Sequence, residues 1–546
     1  MGLSDNASPS PALQTLPNEL LGAICALLCN RDTKSLRLTC RALGDKSLIR
    51  FDRVFISPNP RNIEVLVAVA NHNVFRHRVR EIVWDDSVLM RIPITDGYGP
   101  CGYSADENDS DDCAANNHKE WISRDFVRLC KDSIFLTGSR LQKKNIYQGD
   151  NEVQKQVDNL MSSRDSLALY QDLLYQQRGV LSSSADEEAF RYAIQRFPQL
   201  KKVAITPAAH GFLFMPLYQT PMIRAFPSGF VYPIPRTWPS DESLGHGSPE
   251  DCPEGWENDD ERSQWRGFCI VSKVLAEHAE KLQISELVVD NHKLPTGVDY
   301  TLFDKPNAEY DSLCKIVARP GFRRLVSLAT GYRENFEAED WNVYRNGRIS
   351  KLLANATDLE EVVLQTTYGL DGWFCPMEDS ISLFDLFPVD IFSAGKLRHF
   401  GLSGMQVLQD DLISFLGRLP SSLKSVELSF LSLVEGHGNH ATMLAAIRDK
   451  LGWRHRPASQ RIKVSISMRL NQPDHGRYVC LDREVQEYIY GDGPPPFLAS
   501  EKWIEAHFTW GTGIVYDEFD PGFAVPYENN RMRCKRQLGS VSTAMQ

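Results

Sequence analysis

The heptapeptide Leu397-Arg398-His399-Phe400-Gly401-Leu402-Ser403 contains the pattern that decides the fold, with apolar residues at its first, fourth and sixth positions. The same L-x-x-L-x-L spacing, with apolar replacements, recurs at Val79/Ile82/Trp84, Leu200/Val203/Ile205, Ile284/Leu287/Val289, Leu359/Val362/Leu364 and Leu423/Val426/Leu428, and more weakly at Phe322/Leu325. Alternation of apolar and polar residues is typical of a strand that buries one face. The repeats therefore predict a series of short strands with one face in a common core.

Helices are predicted between the strands. Ser184-Ala185-Asp186-Glu187 has the sequence of a capping box, and Pro198 stops the helix that follows it. Apolar periodicity predicts further helices over residues 408–419 and 443–451, each before a strand. One such unit cannot bury its apolar face alone, whereas stacked units share a continuous core and a parallel sheet. We therefore expect an α/β fold.

The spacing of the repeats indicates the architecture. From Ile284 onwards, successive starts lie 38, 37, 38 and 26 residues apart, whereas regular leucine-rich repeats run about 20 to 29 residues. We expect an irregular leucine-rich-repeat-like α/β solenoid over residues 56–470, with a partner bound on the open face of its sheet. The residues predicted to point towards that partner are Lys202, Glu286, Asp290, Glu361, Gln365, His399 and Glu427.

Two insertions interrupt the repeats. Residues 95–118 are acidic and lack the ligand order of an EF-hand, so we expect a solvated loop there. The second insertion, about residues 207–265, is rich in proline and in aromatic residues such as Phe212, Tyr218 and Trp238. We expect it to be ordered, with its aromatic residues packed across the solenoid or along the rim of its binding face.

Composition limits the class of partner and the compartment. The 546 residues include 71 Asp and Glu against 60 Lys and Arg, a net charge of -11, which argues against nucleic acid or anionic membrane as a partner. The twelve cysteines form no CxxC pair, and no apolar run approaches the length of a membrane helix. We expect reduced thiols and an intracellular protein, cytoplasmic and/or nuclear.

The amino-terminal segment predicts two short helices. Leu16-Pro17-Asn18-Glu19-Leu20 opens the first, with Pro17 at the first helical position. Asp32 or Ser35 is expected to cap the second, and Gly44 to end it. In the first helix an apolar stripe is formed by Leu20, Ile24, Leu27 and Leu28, and Leu21 and Cys25 widen it beyond what one neighbouring helix would cover. We therefore expect this surface to have a partner.

This segment resembles an F-box, in the residues Leu13, Leu16-Pro17, Glu19-Leu20, Ile24, Leu28, Leu36, Leu38, Cys40-Arg41 and Leu43. The resemblance implies an F-box over residues 12–55 that docks on the Skp-type adaptor of an SCF (cullin-RING) ubiquitin ligase. The adaptor contacts that it implies are Leu16, Pro17, Leu20, Ile24, Leu28 and Leu36. Leu43 departs from the family, which often has tryptophan at this position.

Further motifs extend the resemblance to large F-box proteins common in filamentous fungi, over roughly residues 12–470. They are Asn62-Ile63-Glu64, Arg80-Glu81-Ile82-Val83-Trp84-Asp85-Asp86, Phe197-Pro198-Gln199-Leu200-Lys201 and Trp265-Arg266-Gly267-Phe268. Outside this span we expect a disordered leader at residues 1–11, a carboxyl-terminal extension at 471–530 and a basic flexible tail at 531–546.

The sequence carries no familiar catalytic or cofactor-binding motif. The sequence has no P-loop, dinucleotide-binding turn, nucleophile elbow or H-E-x-x-H helix. Cys25 and Cys29 would supply only half the ligands of a zinc site, so they are interpreted as core thiols. His437 and His440 flank Asn439, which is interpreted as a helix cap rather than as part of a metal site. We expect no catalytic residue, metal or cofactor.

The main hypothesis is a non-catalytic substrate receptor of an SCF ubiquitin ligase, with an unidentified protein as its target. The alternative is a ubiquitin-independent repeat scaffold, in which the amino-terminal helices only cap the repeats. A cap would bury Leu20 and Ile24 within the chain, whereas a docking face would expose them. A hydrolase in the carboxyl-terminal region would need a convergent polar pocket, which the sequence does not show.

Overall fold

A computed structural model describes residues 13, 16–28, 30–47, 49, 51–92, 124–148, 152–236, 238, 256, 262–294, 296–329, 342–366, 381–470, 475–498 and 511–527. The leader predicted at 1–11, the acidic insertion at 95–118 and the tail predicted at 531–546 lie outside these residues.

Helices and strands alternate along most of the described chain. The helices are α1 Asn18–Leu27, α2 Asn30–Thr39, α3 Arg41–Lys46, α4 Pro60–Asn71, α5 Arg124–Gln148, α6 Glu152–Asp158, α7 Ser163–Ser183, α8 Ala185–Ile194, α9 Arg266–Glu277, α10 Ala308–Val317, α11 Asn342–Arg345, α12 Arg348–Ala354, α13 Leu383–Leu386, α14 Val389–Ala394, α15 Gln409–Arg418, α16 His440–Lys450 and α17 Asp482–Tyr490. The strands are β1 Arg53–Ile56, β2 Glu81–Asp85, β3 Lys202–Thr206, β4 Glu286–Val289, β5 Arg324–Ala329, β6 Glu361–Gln365, β7 His399–Ser403, β8 Gln406–Val407, β9 Ser425–Ser429, β10 Ser432–Leu433, β11 Lys463–Ser465, β12 Ser467–Arg469, β13 Arg477–Cys480, β14 Ile514–Asp517 and β15 Ala524–Pro526.

The fold is mixed α/β and is built on a nine-stranded parallel sheet. Its strand order is β1-β2-β3-β4-β5-β6-β7-β9-β11, so the strands follow one another across the sheet in chain order. The register brings the first residue of every strand into one row, as in the pairs Lys202↔Glu286 and Glu361↔His399. The prediction of an α/β fold with a parallel sheet is confirmed.

One face of this sheet is buried in the main core. The repeat positions predicted to be buried are at most 4% exposed, as in Ile82, Val203, Leu287, Leu325, Val362, Phe400 and Val426. The helices bury apolar residues in the same cluster, including Leu66 of α4, Phe190 of α8, Phe268 of α9 and Leu444 of α16. At about 25 cal/mol for each Å² of apolar surface removed from water, this shared core is the main source of stability.

The structure corrects one predicted cap and confirms another. Helix α8 begins where predicted, but Ser184 has a left-handed backbone and makes no side-chain capping bond. Asp186 of the expected capping box is paired with Arg266 instead. Asn439 does cap α16, since its side chain accepts a hydrogen bond from the backbone N–H of Thr442 at 2.9 Å.

The amino-terminal unit contains three helices, and the prediction of two was wrong. Asp32 lies in the first turn of α2, which begins at Asn30. Cys40 has an extended backbone, with φ of -160°, and this break separates α2 from α3. Gly44, the expected helix end, lies inside α3, and Pro17 is the amino-terminal cap of α1 rather than its first residue.

A second sheet follows the parallel one and was not predicted. Its strands are antiparallel in the order β12-β13-β14-β15. Helix α5, also not predicted, is bound to this sheet by a buried ionic group, in which Asp517 pairs with both Arg140 and Arg477. Part of the extension predicted at 471–530 is therefore folded onto the rest of the chain.

The insertion between β3 and α9 is ordered over its described residues, as predicted. Phe230 and Tyr232 are buried against α5 and α7 in a second apolar cluster. The indole N–H of Trp238 donates to Asp86 Oδ2 at 2.8 Å, which ties the insertion to the end of β2.

Candidate functional site

The amino-terminal helices form a unit with a small core of its own. Leu21, Cys25 and Leu43 are buried against one another, and Leu36 and Cys40 pack on them. This cluster is separate from the core beneath the parallel sheet. The apolar side chains on the outside of this unit therefore do not pack into the core beneath the parallel sheet.

The outer surface of this unit exposes large apolar side chains. Leu20 is 54% exposed, and Leu27 and Leu38 are each 88% exposed. Pro17 is also exposed, while Leu16, Ile24, Leu28 and Leu36 are half-buried. Among the predicted adaptor contacts, Leu36 packs on the unit's own core. Leu27 and Leu38 were not among the predicted contacts, although the apolar stripe and the F-box resemblance had marked them.

The open face of the parallel sheet carries a row of charged residues at the start of its strands. Glu81 pairs with Arg53 at 2.6 Å and with Lys202 at 2.9 Å. Further along, Arg324 lies between Glu286, at 3.1 Å, and Glu361, at 2.6 Å. Opposite charges alternate from strand to strand, so the charges of this row pair with one another and the row presents no patch of a single charge.

His399 continues this row on β7. Its Nδ1 lies 2.8 Å from Ser425 Oγ, and burial lowers the pKa of the imidazole despite the nearby carboxylates of Glu427 and Glu361. The ring is therefore neutral at physiological pH and offers hydrogen bonds rather than charge to a partner.

The insertion covers the middle row of the face over its first strands. Val83, Ala204 and Val288 are buried there, with Tyr218 of the insertion packed on them. The Tyr218 ring also stacks beneath the Arg53 guanidinium, at 5.2 Å, and burial raises the pKa of its hydroxyl to about 12. A partner on this part of the sheet would meet Tyr218 before the strands.

The segment 290–294 after β4 closes the carboxyl end of the face. Gln365 is only 6% exposed and donates from Nε2 to Asn291 Oδ1 at 2.6 Å. Asp290 accepts a hydrogen bond from the His292 N–H at 2.8 Å. Of the seven predicted partner-binding residues, Gln365 thus lies beneath this segment, whereas Lys202, Glu286, Asp290, Glu361, His399 and Glu427 stay partly exposed.

A buried polar cluster lies at the carboxyl ends of β2 and β3. Burial raises the pKa of Asp85 to about 7 and that of Asp86 to about 6. His210, whose Nδ1 is 2.9 Å from the Tyr232 hydroxyl, has its pKa lowered by burial to about 3. These side chains are at most 5% exposed, so they stabilise the junction between sheet and insertion and present no open substrate pocket.

The described residues show little that indicates metal or membrane chemistry. No group of three His, Cys, Asp or Glu among them could hold a metal ion. The six cysteines in the described ranges form no disulfide. None of the described helices has both the length and the apolar character to cross a membrane.

Comparison with known proteins does not assign this chain to a family: no model of a protein family matches it, and neither does any curated protein. The F-box resemblance and its contacts therefore stay predictions.

Proposed function

We propose that this chain is a substrate-receptor subunit of an SCF-type ubiquitin ligase. In this proposal the amino-terminal helices are an F-box that docks on a Skp-type adaptor. The remaining body is a leucine-rich-repeat-like solenoid that holds a target protein on the open face of its sheet. The proposal includes an intracellular location, where the ligase acts.

The observation that carries the proposal is the exposed leucine surface on a unit with its own core. Leu20, Leu27 and Leu38 are between 54% and 88% exposed. Leu20 and Leu27 are seven residues apart in α1 and so lie on one face of that helix, and exposed apolar patches on a folded protein often mark a protein interaction site. The F-box resemblance implies an adaptor that would contact Leu20, and we propose that the same adaptor also covers Leu27 and Leu38.

The alternative is that the helices only cap a ubiquitin-independent scaffold. A cap shares the core of the repeat that it covers, and it was expected to bury Leu20 and Ile24. Instead Leu20 is 54% exposed and Ile24 is half-buried, while the unit's core cluster is separate from the main one. These features favour docking over capping.

The proposed role requires affinity and geometry rather than a catalytic group in this chain. A receptor of this kind raises the effective concentration of a target lysine near the activated ubiquitin. The chain-ordered parallel sheet suits this task, since the row formed by the first residues of its nine strands stays at least partly exposed along the whole sheet.

The test is co-purification of the full chain with a Skp-type adaptor. We expect the wild type to capture the adaptor, and a Leu20→Ala, Leu27→Ala variant to bind it at least about tenfold more weakly, since interface anchors cost about 1 to 2 kcal/mol each. Thermal unfolding should be unchanged because both side chains are exposed. Leu498→Ala, which truncates a leucine that is 55% exposed elsewhere, is the matched control and should bind normally. Absence of capture by a folded wild type would favour the scaffold.

A further inference from the structure

Three residues with unusual backbone conformations meet on the open face of the sheet. Among the described residues, five other than glycine have positive φ, and His292, Lys293 and Phe430 are three of them, at 53°, 62° and 55°. Such conformations persist where the surrounding structure imposes them, and they concentrate at binding sites.

The segment 290–294 is held firmly in this conformation. Asn291 is fully buried, and its amide donates to the carbonyl oxygens of Leu294, at 2.8 Å, and Thr296, at 2.5 Å. The Asn291 side-chain oxygen accepts from Gln365 on β6. These bonds anchor the segment to the sheet and direct Lys293 across it.

Lys293 reaches from the end of β4 to the region of β9. Its Nζ lies 3.5 Å from Glu427 Oε1 and 5.5 Å from the centre of the Phe430 ring. The two charged side chains are 22% and 25% exposed. The Lys293 ammonium thus occupies a site made of one carboxylate and one aromatic face, and this site is open to solvent.

The surroundings of this ammonium are acidic and aromatic. Burial raises the pKa of Glu518, and the neighbouring charges of Lys293 and Asp290 act on it in opposite directions. Phe430 continues into an aromatic row, with the Tyr478 ring centre 6.2 Å away. Carboxylates and aromatic faces together favour a cation.

One ring nitrogen of His292, beside this site, has no hydrogen-bond partner among the described residues. His292 is 9% exposed, and its Nδ1 lies 3.6 Å from Asp290 Oδ2 while its ring faces Tyr218 at 6.0 Å. The Nε2 atom is buried and has no hydrogen-bond partner. Buried polar atoms are normally satisfied, so this nitrogen is an unused hydrogen-bonding group that a ligand displacing Lys293 can reach.

We propose that this acidic and aromatic site binds a lysine or arginine side chain of a protein partner, and that Lys293 fills it while the chain is unbound. An incoming cation can replace Lys293 as the counter-ion, so Glu427 is never left unpaired during the exchange. The site itself does not depend on the ligase proposal. The identification of the partner as a ubiquitylation target does rest on that proposal.

Peptide binding tests this inference with the purified full chain and no adaptor. The probes are a fluorescein-labelled tetra-arginine peptide and its tetra-citrulline counterpart, which has a similar shape without the charge, measured by fluorescence anisotropy. We expect the arginine peptide to bind and the citrulline peptide not to bind. Lys293→Met should tighten binding about threefold to fivefold, the range for removal of a part-exposed competing ion pair, and Glu427→Gln should weaken it by a similar factor.

Lys273→Met is the matched control, because Lys273 also pairs with a glutamate and its loss changes the net charge equally, but it lies on α9, on the buried side of the sheet. Equal effects of the two lysine variants, or equal binding of the two peptides, would overturn the site. Thermal unfolding of each variant checks the fold. Adaptor capture by Lys293→Met should equal that of the wild type, so failure of the ligase proposal would appear in that assay and not in the peptide titration.

Discussion

Replacing Asp517 with asparagine should detach the carboxyl-terminal sheet from α5. The Asp517 carboxylate is fully buried and pairs with Arg140 and Arg477, whose side chains are 4% and 2% exposed. It also accepts a hydrogen bond from the Phe519 N–H at 2.9 Å. Asparagine keeps the shape but removes the only negative charge in this ionic group.

The loss follows from removing the carboxylate that pairs with two buried guanidinium groups. Breaking a buried ion pair by removal of one partner costs about 3 to 5 kcal/mol. Compensation is available here, since Arg140 lies 4.0 Å from the centre of the Phe212 ring and Arg477 lies 4.4 Å from that of Phe523. We therefore expect the lower end of this range, about 3 kcal/mol.

Urea unfolding of the full chain measures this change, and limited proteolysis locates it. Asp517→Asn should lower the unfolding midpoint and open residues 475–527 to cleavage first. Asp449→Asn is the control, because Asp449 is 55% exposed in its pair with Arg448 and exposed pairs are worth about 0 to 1 kcal/mol. If the two variants lost equal stability, the buried ionic group would not hold the sheet in place.

Two further changes test the sheet's connection to its helices and insertion. Gly267→Ala should cost about 3 kcal/mol or more, because the added Cβ would lie 2.0 Å from Trp84 Nε1; Gly179→Ala has nothing within 4 Å and should stabilise α7 by about 0.5 to 1 kcal/mol. Equal thermal midpoints for the two variants would contradict the close packing of Gly267 against Trp84. Burial raises the pKa of Asp85 from 3.8 to about 7, so the folded chain holds this proton more tightly and the associated stability is lost as pH rises through that interval. Urea unfolding at about pH 5 and about pH 7 should therefore show that the free energy of unfolding falls less between these pH values for Asp85→Asn than for the wild type. An equal fall in both proteins would refute the role of the Asp85 carboxyl.

The strands were predictable because their signal is local. A residue such as Phe400 or Val426 lies in an apolar pattern of period two, and stacked helices bury that face in every unit. Even the weak Phe322/Leu325 pattern marks a strand, β5. Helices α5 to α7 interrupt the array and have no counterpart in the repeat, so its periodicity contained no information about them.

The cover over the open face was not predictable for a different reason. Alternation places Gln365 on the correct face of β6, but it does not indicate that Asn291, far away in the sequence, will bind it. Tyr218 and Lys293 likewise reach the face from an insertion and a connecting segment. Such contacts depend on tertiary placement, which hydrophobic periodicity does not specify. In the amino-terminal unit, the apolar stripe that contains Leu20 could be predicted from the sequence. The extended backbone at Cys40, which divides the predicted second helix into α2 and α3, could not.

The chain order of the parallel sheet has a kinetic consequence. Strands β6 and β7 are separated by about thirty residues, whereas more than a hundred separate β2 from β3. Closing the longer connection costs about 1 kcal/mol more in chain entropy, and contacts distant in sequence form slowly. The strands of this sheet from β4 onwards, which are joined by connections of about 20 to 35 residues, can thus assemble as a folding nucleus before β1, β2 and β3 join it. During synthesis, the amino-terminal helices would emerge first, yet the strands next to them would find their place in the sheet late.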